Sequence, residues 1–422
     1  MISSAPNLLL IQAARLGNQP KITAALERGA DVNATDAQGT SALMFSAQKG
    51  LQQIVGVLIA AGADVNLHRR QFGTTALMFA AAANRIAIVS QLLAQGVNVN
   101  AVNEDGSTAL MGATLAGAKE IVALLLIAGA DVLKIDKDGD NALKIAIDRN
   151  YPELAKQLLT AGADANGVDD DGDSLLIVAA EQGYTNLIQP LIQAGAAIDF
   201  QNQDGWTPLI AATSARQTEI VKLLLAAGAD ANLLSIEGET AIHLAAIEGD
   251  ADLIRLLIAA GAQTDLITSL EDTPLVLATL QGHTAAVAAI LEFDPDLTAH
   301  QQGVTAFGIA IVNQATEIAQ LLIAAGVSPI QIFKDGQTPL IICSIEGNLE
   351  LVRSLIVAEV PLDTRDDTGA TALMWATHRQ YHEIVKVLLI AGADRSCKNQ
   401  GGLTALDLAE INGDRQSIDL LK

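Results

Sequence analysis

Positive charge, long apolar runs and cysteine are all scarce in this chain, and each scarcity removes a class of function. Lys and Arg number 25 against 48 Asp and Glu, giving a formal net charge of -23 at pH 7. Such a surface repels polyanions, so no nucleic acid and no membrane is expected as a direct partner; a basic protein surface is what this field would steer. Half of the residues are hydrophobic and mean hydropathy is +0.34. The apolar runs, residues 121–130 for example, nevertheless reach only about half of the roughly 20 residues a membrane span needs. Gly, Asp or Asn interrupts each of them, so they read as core helices.

The two cysteines, Cys343 and Cys397, lie more than one repeat period apart and form no disulfide framework. The first residues carry no Lys or Arg before a short apolar run and no small-residue cleavage pattern, so no signal peptide is expected and the cytoplasm is the expected location. Catalytic signatures are lacking as well: no Gly-rich phosphate loop, no His-Glu-x-x-His and no nucleophile elbow occurs. His378 and His382 are four apart, but a turn is expected between them and no third ligand accompanies them. The acidic segments around Gly139 and Gly172 fail as twelve-residue calcium loops. Their first and twelfth positions hold Lys134 and Ile145 in one case and Gly167 and Val178 in the other. No enzyme activity, metal or cofactor is expected.

What the chain does have is a period. A glycine recurs as Gly39, Gly73, Gly106, Gly139, Gly172, Gly205, Gly238, Gly303, Gly336, Gly369 and Gly402, almost always 33 residues on. Shortly after each comes a residue able to cap a helix: Ser41, Thr75, Thr108, Asn141, Ser174, Thr207, Thr240, Thr273, Thr305, Thr338, Thr371 and Thr404. Pro208, Pro274 and Pro339 follow three of these, at the first helical position where proline is tolerated. About seven helical residues then lead to a glycine such as Gly50, Gly117 or Gly249, suited to the left-handed close of a helix. A second helix follows with apolar residues at helical spacing, as in Ile220, Val221 and Leu224, and stops at a glycine such as Gly228. The Ala-Asp-x-Asn and Asp-x-x-Gly segments at each boundary read as a short hairpin finger.

The segments Asp204-Gly-Trp-Thr-Pro-Leu209 and Gly238-Glu-Thr-Ala-Ile-His-Leu-Ala-Ala246 resemble the core motif of ankyrin repeats, and the resemblance runs from about residue 4 to residue 422. It implies an all-α fold: an ankyrin-repeat α-solenoid of stacked helix-turn-helix units with short β-hairpin fingers and a concave binding face. One helix pair cannot bury its own apolar face, so stacking must supply the core. Residues 1–422 are read as a single domain, with a capping repeat at 1–34, eleven internal repeats over 35–398 and a second capping repeat at 399–422. Both ends replace apolar positions with polar ones, Gln12 and Arg15 at the first and Asp407, Glu410 and Asp414 at the last, which points to a monomer. By the resemblance His243 is structural, hydrogen-bonding backbone between repeats.

Departures from the pattern locate candidate sites. One added residue gives a basic fingertip at His68-Arg69-Arg70, expected to be looser. The acids Glu104, Asp105, Asp138, Asp140, Asp170, Asp171, Asp173, Asp204, Glu237 and Glu239 are expected to line the fingers as an acidic partner-binding ridge. Trp206, directly after a finger glycine in a chain with 3% aromatic residues, is expected to project from the tip as a binding anchor. Trp375 sits where Phe45, Phe79, Leu244 and Leu277 stand in other repeats, and is expected in the core or on the groove floor. By family analogy Phe72, Arg149, Glu181, Gln182 and Glu248 join the contact surface, with Gln38, Thr40, Gln48, Lys49 and Asp148 among the same exposed set.

These features give a noncatalytic protein-binding scaffold, or alternatively a regulatory or inhibitory subunit that blocks a basic site of an enzyme. In the ninth repeat Glu271 replaces the finger glycine, Asp294-Pro295 replaces the closing Gly-Ala and the next spacing falls to 32, which places a weak joint near 290–304. Amides there are expected to exchange with deuterium faster than those of the flanking repeats, and uniform protection across the junction would rule the joint out.

Overall fold

The computed structural model describes residues 5–169, 171–301 and 304–422. These carry 26 α-helices, one 3-10 turn and one two-stranded hairpin, His300–Gln301 with Val304–Thr305. They group into two compact units, Met1–Ala229 and Asp230–Lys422. The first holds the helices from Ala5–Leu16 to Thr218–Ala226, the second those from Ala241–Glu248 to Arg415–Leu421. Within each unit short helices alternate with slightly longer ones, as in Pro208–Ser214 and Thr218–Ala226. Of the stretch 290–304, residues 302 and 303 lie outside the described set, and Gly303 with them.

Helices start where capping chemistry places them. In every internal repeat the capping residue is extended, and its side chain accepts the amide of the third helical residue in all but Thr240. The stripes that face inward are those of the 3.6 period: Leu209, Ile210 and Ala212 on one helix, Ile220, Val221 and Leu224 on the next. The turn between the two helices needs one left-handed residue. Gly50, Gly117 and Gly249 supply it in some repeats, but Asn84, Asn150, Arg216, Gln314 and Gln380 take the same conformation at φ 50 to 61° in others. Glu271 (φ 67°) and Glu359 (φ 56°) likewise adopt the glycine geometry they replace, so the fold imposes the turn and the side chain carries the strain.

Two ladders of hydrogen bonds tie successive repeats. At the exit of the second helix Asn100 accepts the amide of Asp131 at 2.7 Å and donates to the carbonyl of Gly129 at 3.0 Å; Asn166 does the same to Ala197 and Gly195, and in the second unit Asn232 to Gln263 and Gly261. At the fingers the backbone of one touches the next: Lys137 donates to Asp105 at 2.8 Å, Ser269 to Glu237 at 2.8 Å and Asp367 to Asp335 at 2.9 Å. Gly238 is needed twice over, for its φ of 76° and because a Cβ there would stand 2.9 Å from the Ser269 nitrogen.

The fingers are mostly not β-hairpins. Beyond the one short hairpin, only isolated bridges such as Thr35 to Ser41 and Val168 to Ser174 occur among the described residues. In most fingers one side chain holds the turn. Asp36, Asn103, Asp136, Asp169, Asn202 and Asp366 each turn an oxygen inward to accept the amides two and four residues on, at 2.7 to 3.1 Å. Each is an Asx turn, and the Thr35–Ser41 and Val168–Ser174 bridges form around two of them. Where Phe333 stands at that position the acceptor is missing, and Lys334–Gly336 becomes a 3-10 turn with Asp335 at φ 63°. The basic fingertip keeps the turn despite its extra residue. Its added residue is absorbed by Phe72 and Gly73, both left-handed, and a bridge joins His68 to Thr75.

His243 is fully buried, with Nδ1 3.1 Å from the Thr240 nitrogen and Nε2 2.9 Å from the Leu266 carbonyl. The Thr240 amide can only donate, so Nδ1 is the acceptor and the proton sits on Nε2. Methionine fills the same place elsewhere, where the sulfurs of Met44 and Met111 lie 3.5 and 3.4 Å from the equivalent amides. Burial pushes the His243 pKa down from 6.5 to about 4. In that window the unfolded chain binds a proton the native one refuses, so stability rises with pH and is lost on acidification from 6.5 towards 4, by on the order of 3 kcal/mol. Denaturant unfolding of the wild type should show this loss and His243→Met should be flatter; equal slopes would remove His243 as the cause.

Candidate partner-binding groove

Each finger presents its residues in two directions. The two positions after the Asx-turn residue form the tip, and Glu104, Asp105, Asp138, Asp171 and Asp204 are exposed there in the first unit, as Glu237 is in the second. The position after the finger glycine turns back towards the first helix. Asp140, Asp173 and Trp206 occupy it in the first unit and Glu239 in the second, all half-buried. Asp170 lies outside the described residues. Within each unit the predicted acids therefore divide into solvated tips and partly desolvated positions nearer the first helices. Trp206 belongs to the inner row and does not project from the tip; its amide donates to Asn202 Oδ1 at 2.7 Å.

The groove floor is the fourth residue of each first helix. In the first unit that row reads Phe45, Phe79, Gly112, Ile145, Val178 and Ala211, half-buried except for the buried Ala211. In the second unit it includes Trp375, whose Nε1–H donates to Asp366 Oδ2 at 2.6 Å and whose ring meets His378 edge to face at 6.0 Å. Its expected place on the groove floor is where the structure puts it. At the start of the first unit Arg15 reaches Asp36 at 2.5 Å and lies 4.7 Å over the Phe45 ring. Burial pushes the Asp36 carboxyl up, but the Thr40 amide and the Arg15 guanidinium outweigh it and hold the group below its ordinary value.

Further along, burial is not outweighed at Asp173, Asp148 or Glu239. Burial raises Asp173; a 2.5 Å hydrogen bond from Asn202 opposes the shift, and Asp169, Asp171 and Asp204 add to it. Burial also raises Asp148, against Lys144 and with Asp140 and Asp169. Asp140 pairs with Lys144 at 2.6 Å. In the second unit burial raises Glu239, helped by Glu237. These groups disfavour their own charge, and a cation brought into the groove would relieve them.

The remaining predicted contacts are exposed: Phe72 on its finger, under Arg69 at 5.7 Å, and Arg149, Glu181, Gln182 and Glu248 at first-helix ends. Thr40 is not part of that set. It is 5% exposed, because its amide is drawn in to Asp36 Oδ1 at 2.8 Å. His378 ends one helix and His382 begins the next, where it bonds Asp414 at 2.9 Å. The sequence reading missed the division of finger acids into Asx-turn, tip and groove positions. The signal was present: Asp, Asn, Ser or Thr recurs three residues before most finger glycines.

Comparison with known proteins bears on this geometry. The family model described as "Ankyrin repeats (3 copies)" matches nine overlapping stretches, from 53–136 through to 340–422. The mouse ankyrin repeat and SAM domain-containing protein 6 is 42% identical over 81 residues, 19% of this chain and 9% of that protein. Alpha-latroinsectotoxin-Lt1a of Latrodectus tredecimguttatus is 35% identical over 106 residues, 25% of this chain and 7% of the toxin. The mouse protein phosphatase 1 regulatory subunit 27 is 39% identical over 94 residues, 22% of this chain and 61% of that protein. The chain thus matches under a tenth of the first two relatives.

Asp173 gives the groove electrostatics a direct readout. A carboxyl whose folded pKa is raised weakens the native state as pH climbs through it, so Asp173→Asn, which keeps the acceptor for Asn202, should stabilise the protein at pH 7 and not at pH 3. Carboxyl NMR should find Asp173 titrating above the ordinary aspartate range; an ordinary titration and an unchanged pH 7 stability would contradict the assignment.

Proposed function

The chain belongs to the ankyrin-repeat family, and from that premise we propose that it is a noncatalytic scaffold that binds a basic protein surface through the acidic fingers and inner helices. The observation that carries this reading is the pair of half-buried inner-row carboxylates, Asp173 in the first unit and Glu239 in the second, each pushed towards its neutral form by burial and acidic neighbours, with the exposed helix-end Asp148 shifted the same way. Carboxylates so placed cost the free protein stability, and a partner's Lys or Arg side chains would recover it on binding. The exposed tips would act earlier, steering the encounter. Trp206 beside Asp173 and Asp204 would add an apolar anchor.

The proposal includes a monomer in the cytoplasm, without nucleic-acid or membrane partners. Among the described residues no helix is long and apolar enough to cross a membrane. A second reading, an inhibitory or regulatory subunit covering a basic site of an enzyme, draws support from the phosphatase regulatory subunit among the relatives. It uses the same surface and differs only in what happens to the partner.

Affinity capture from a native lysate with wild type, Trp206→Ala and Asp171→Asn/Asp173→Asn should recover a protein with a basic face that both variants hold less well. Its association rate should fall about tenfold or more from low to physiological salt. Equal retention by all three proteins, or a salt-independent rate, would refute the acidic-groove reading. Assay of the captured partner with and without this protein separates scaffold from inhibitor.

A further inference from the structure

The floor of the groove has one gap. In the first unit the row runs through Phe79 and Ile145 with Gly112 between them, on the helix Ala109–Leu115. The missing side chain opens a cleft of about 360 Å³, with Met78, Phe79, Met111, Leu115 and Ile145 on its apolar walls and the carboxylates of Asp136 and Asp140 at its finger side. No backbone reason requires glycine there. Gly112 has an ordinary helical conformation, and an added Cβ would make ordinary contacts with Ala82, the nearest its methyl at 3.6 Å.

The same chain shows what such a place holds when filled. At the first internal finger, Arg15 sits between the Asx-turn carboxylate Asp36 and the floor residue Phe45. Arg15 stands two residues before the turn glycine Gly17; the residue two before Gly117 is Leu115, 48% exposed. At Asp136 the place of the arginine is thus taken by Leu115 and that of Phe45 by Ile145, and the floor position one repeat earlier, Gly112, has no side chain. Over the two fingers flanking the cleft, Glu104, Asp105, Asp136, Asp138 and Asp140 outnumber Lys134, Lys137 and Lys144, the last of which pairs with Asp140 at 2.6 Å.

We propose that the cleft over Gly112 seats one large apolar side chain of an extended basic partner segment, while an adjoining Lys or Arg of that segment takes beside Asp136 the place Arg15 takes beside Asp36. This rests on the binding role proposed above and makes it specific: the partner is recognised by an apolar residue next to a cation. The apolar walls give the anchor, and the carboxylates set the charge of its neighbour.

The test uses random peptides displayed on phage and selected on the full chain, with fluorescein-labelled winners then measured by anisotropy. Winners should share a large apolar residue adjoining Lys or Arg. Gly112→Leu, which puts into the gap the residue Leu244 and Leu277 supply in the same row, should keep or raise the melting temperature and weaken these peptides at least about tenfold. Asp136→Asn, which preserves the Asx turn as Asn103 and Asn202 do, should weaken them and flatten the salt dependence. Basic winners that bind wild type and Gly112→Leu alike overturn the pocket and leave the binding role intact. Winners without basic residues, or no winners at all, overturn the binding role itself.

Discussion

An array of short helices exposes backbone donors and acceptors at every boundary, and the structure depends on side chains that satisfy them. In the fingers a single oxygen of Asp36, Asp136 or Asn202 accepts two amides; at the helix exits Asn100, Asn166 and Asn232 each accept from and donate to the following repeat. The net gain from each hydrogen bond is modest, but an unmade one at a boundary would cost about 1 to 3 kcal/mol if buried. Phe333 shows the effect of removing the acceptor: the finger survives, in a different local conformation.

That constraint also sorts the acids. Some of the finger aspartates are structural and spend an oxygen on the turn, some are tips in water, and some are held against the first helix where their charge is disfavoured. Net charge alone does not distinguish them. Asp136 and Asp138 are two residues apart, yet Asp136 accepts two amides and lines a cleft while Asp138 is exposed. The third class is the one a cationic partner would relieve, and in it Asp173 has both a hydrogen bond and three acidic neighbours.

The period, the caps and the two-helix repeat were legible because they follow from local chemistry: a hydroxyl or amide side chain before a helix, a left-handed residue after it, apolar residues at helical spacing. The role of His243 was legible through the resemblance to the ankyrin motif. The finger geometry was not, since Asp136 and Asp138 look alike in sequence and only the direction of one oxygen separates them. Trp206 was misplaced because a tip and a groove position lie two residues apart, one on each side of the glycine. Gly112 drew no notice because a glycine inside a helix has no local signature; its meaning depends on the side chains above and below it in the stack.

The turn between the helices of each repeat separates stiffness from recognition. Glycine occupies it in some repeats and Asn, Gln or Arg in others, all left-handed. Each non-glycine there costs the native state roughly 1 to 2 kcal/mol relative to an unstrained residue. An exchange at this single position can therefore soften or harden one repeat while leaving its finger and groove residues untouched. A family of such arrays can drift in local compliance under a fixed binding face, and a change in partner affinity need not leave any trace among the residues that touch the partner.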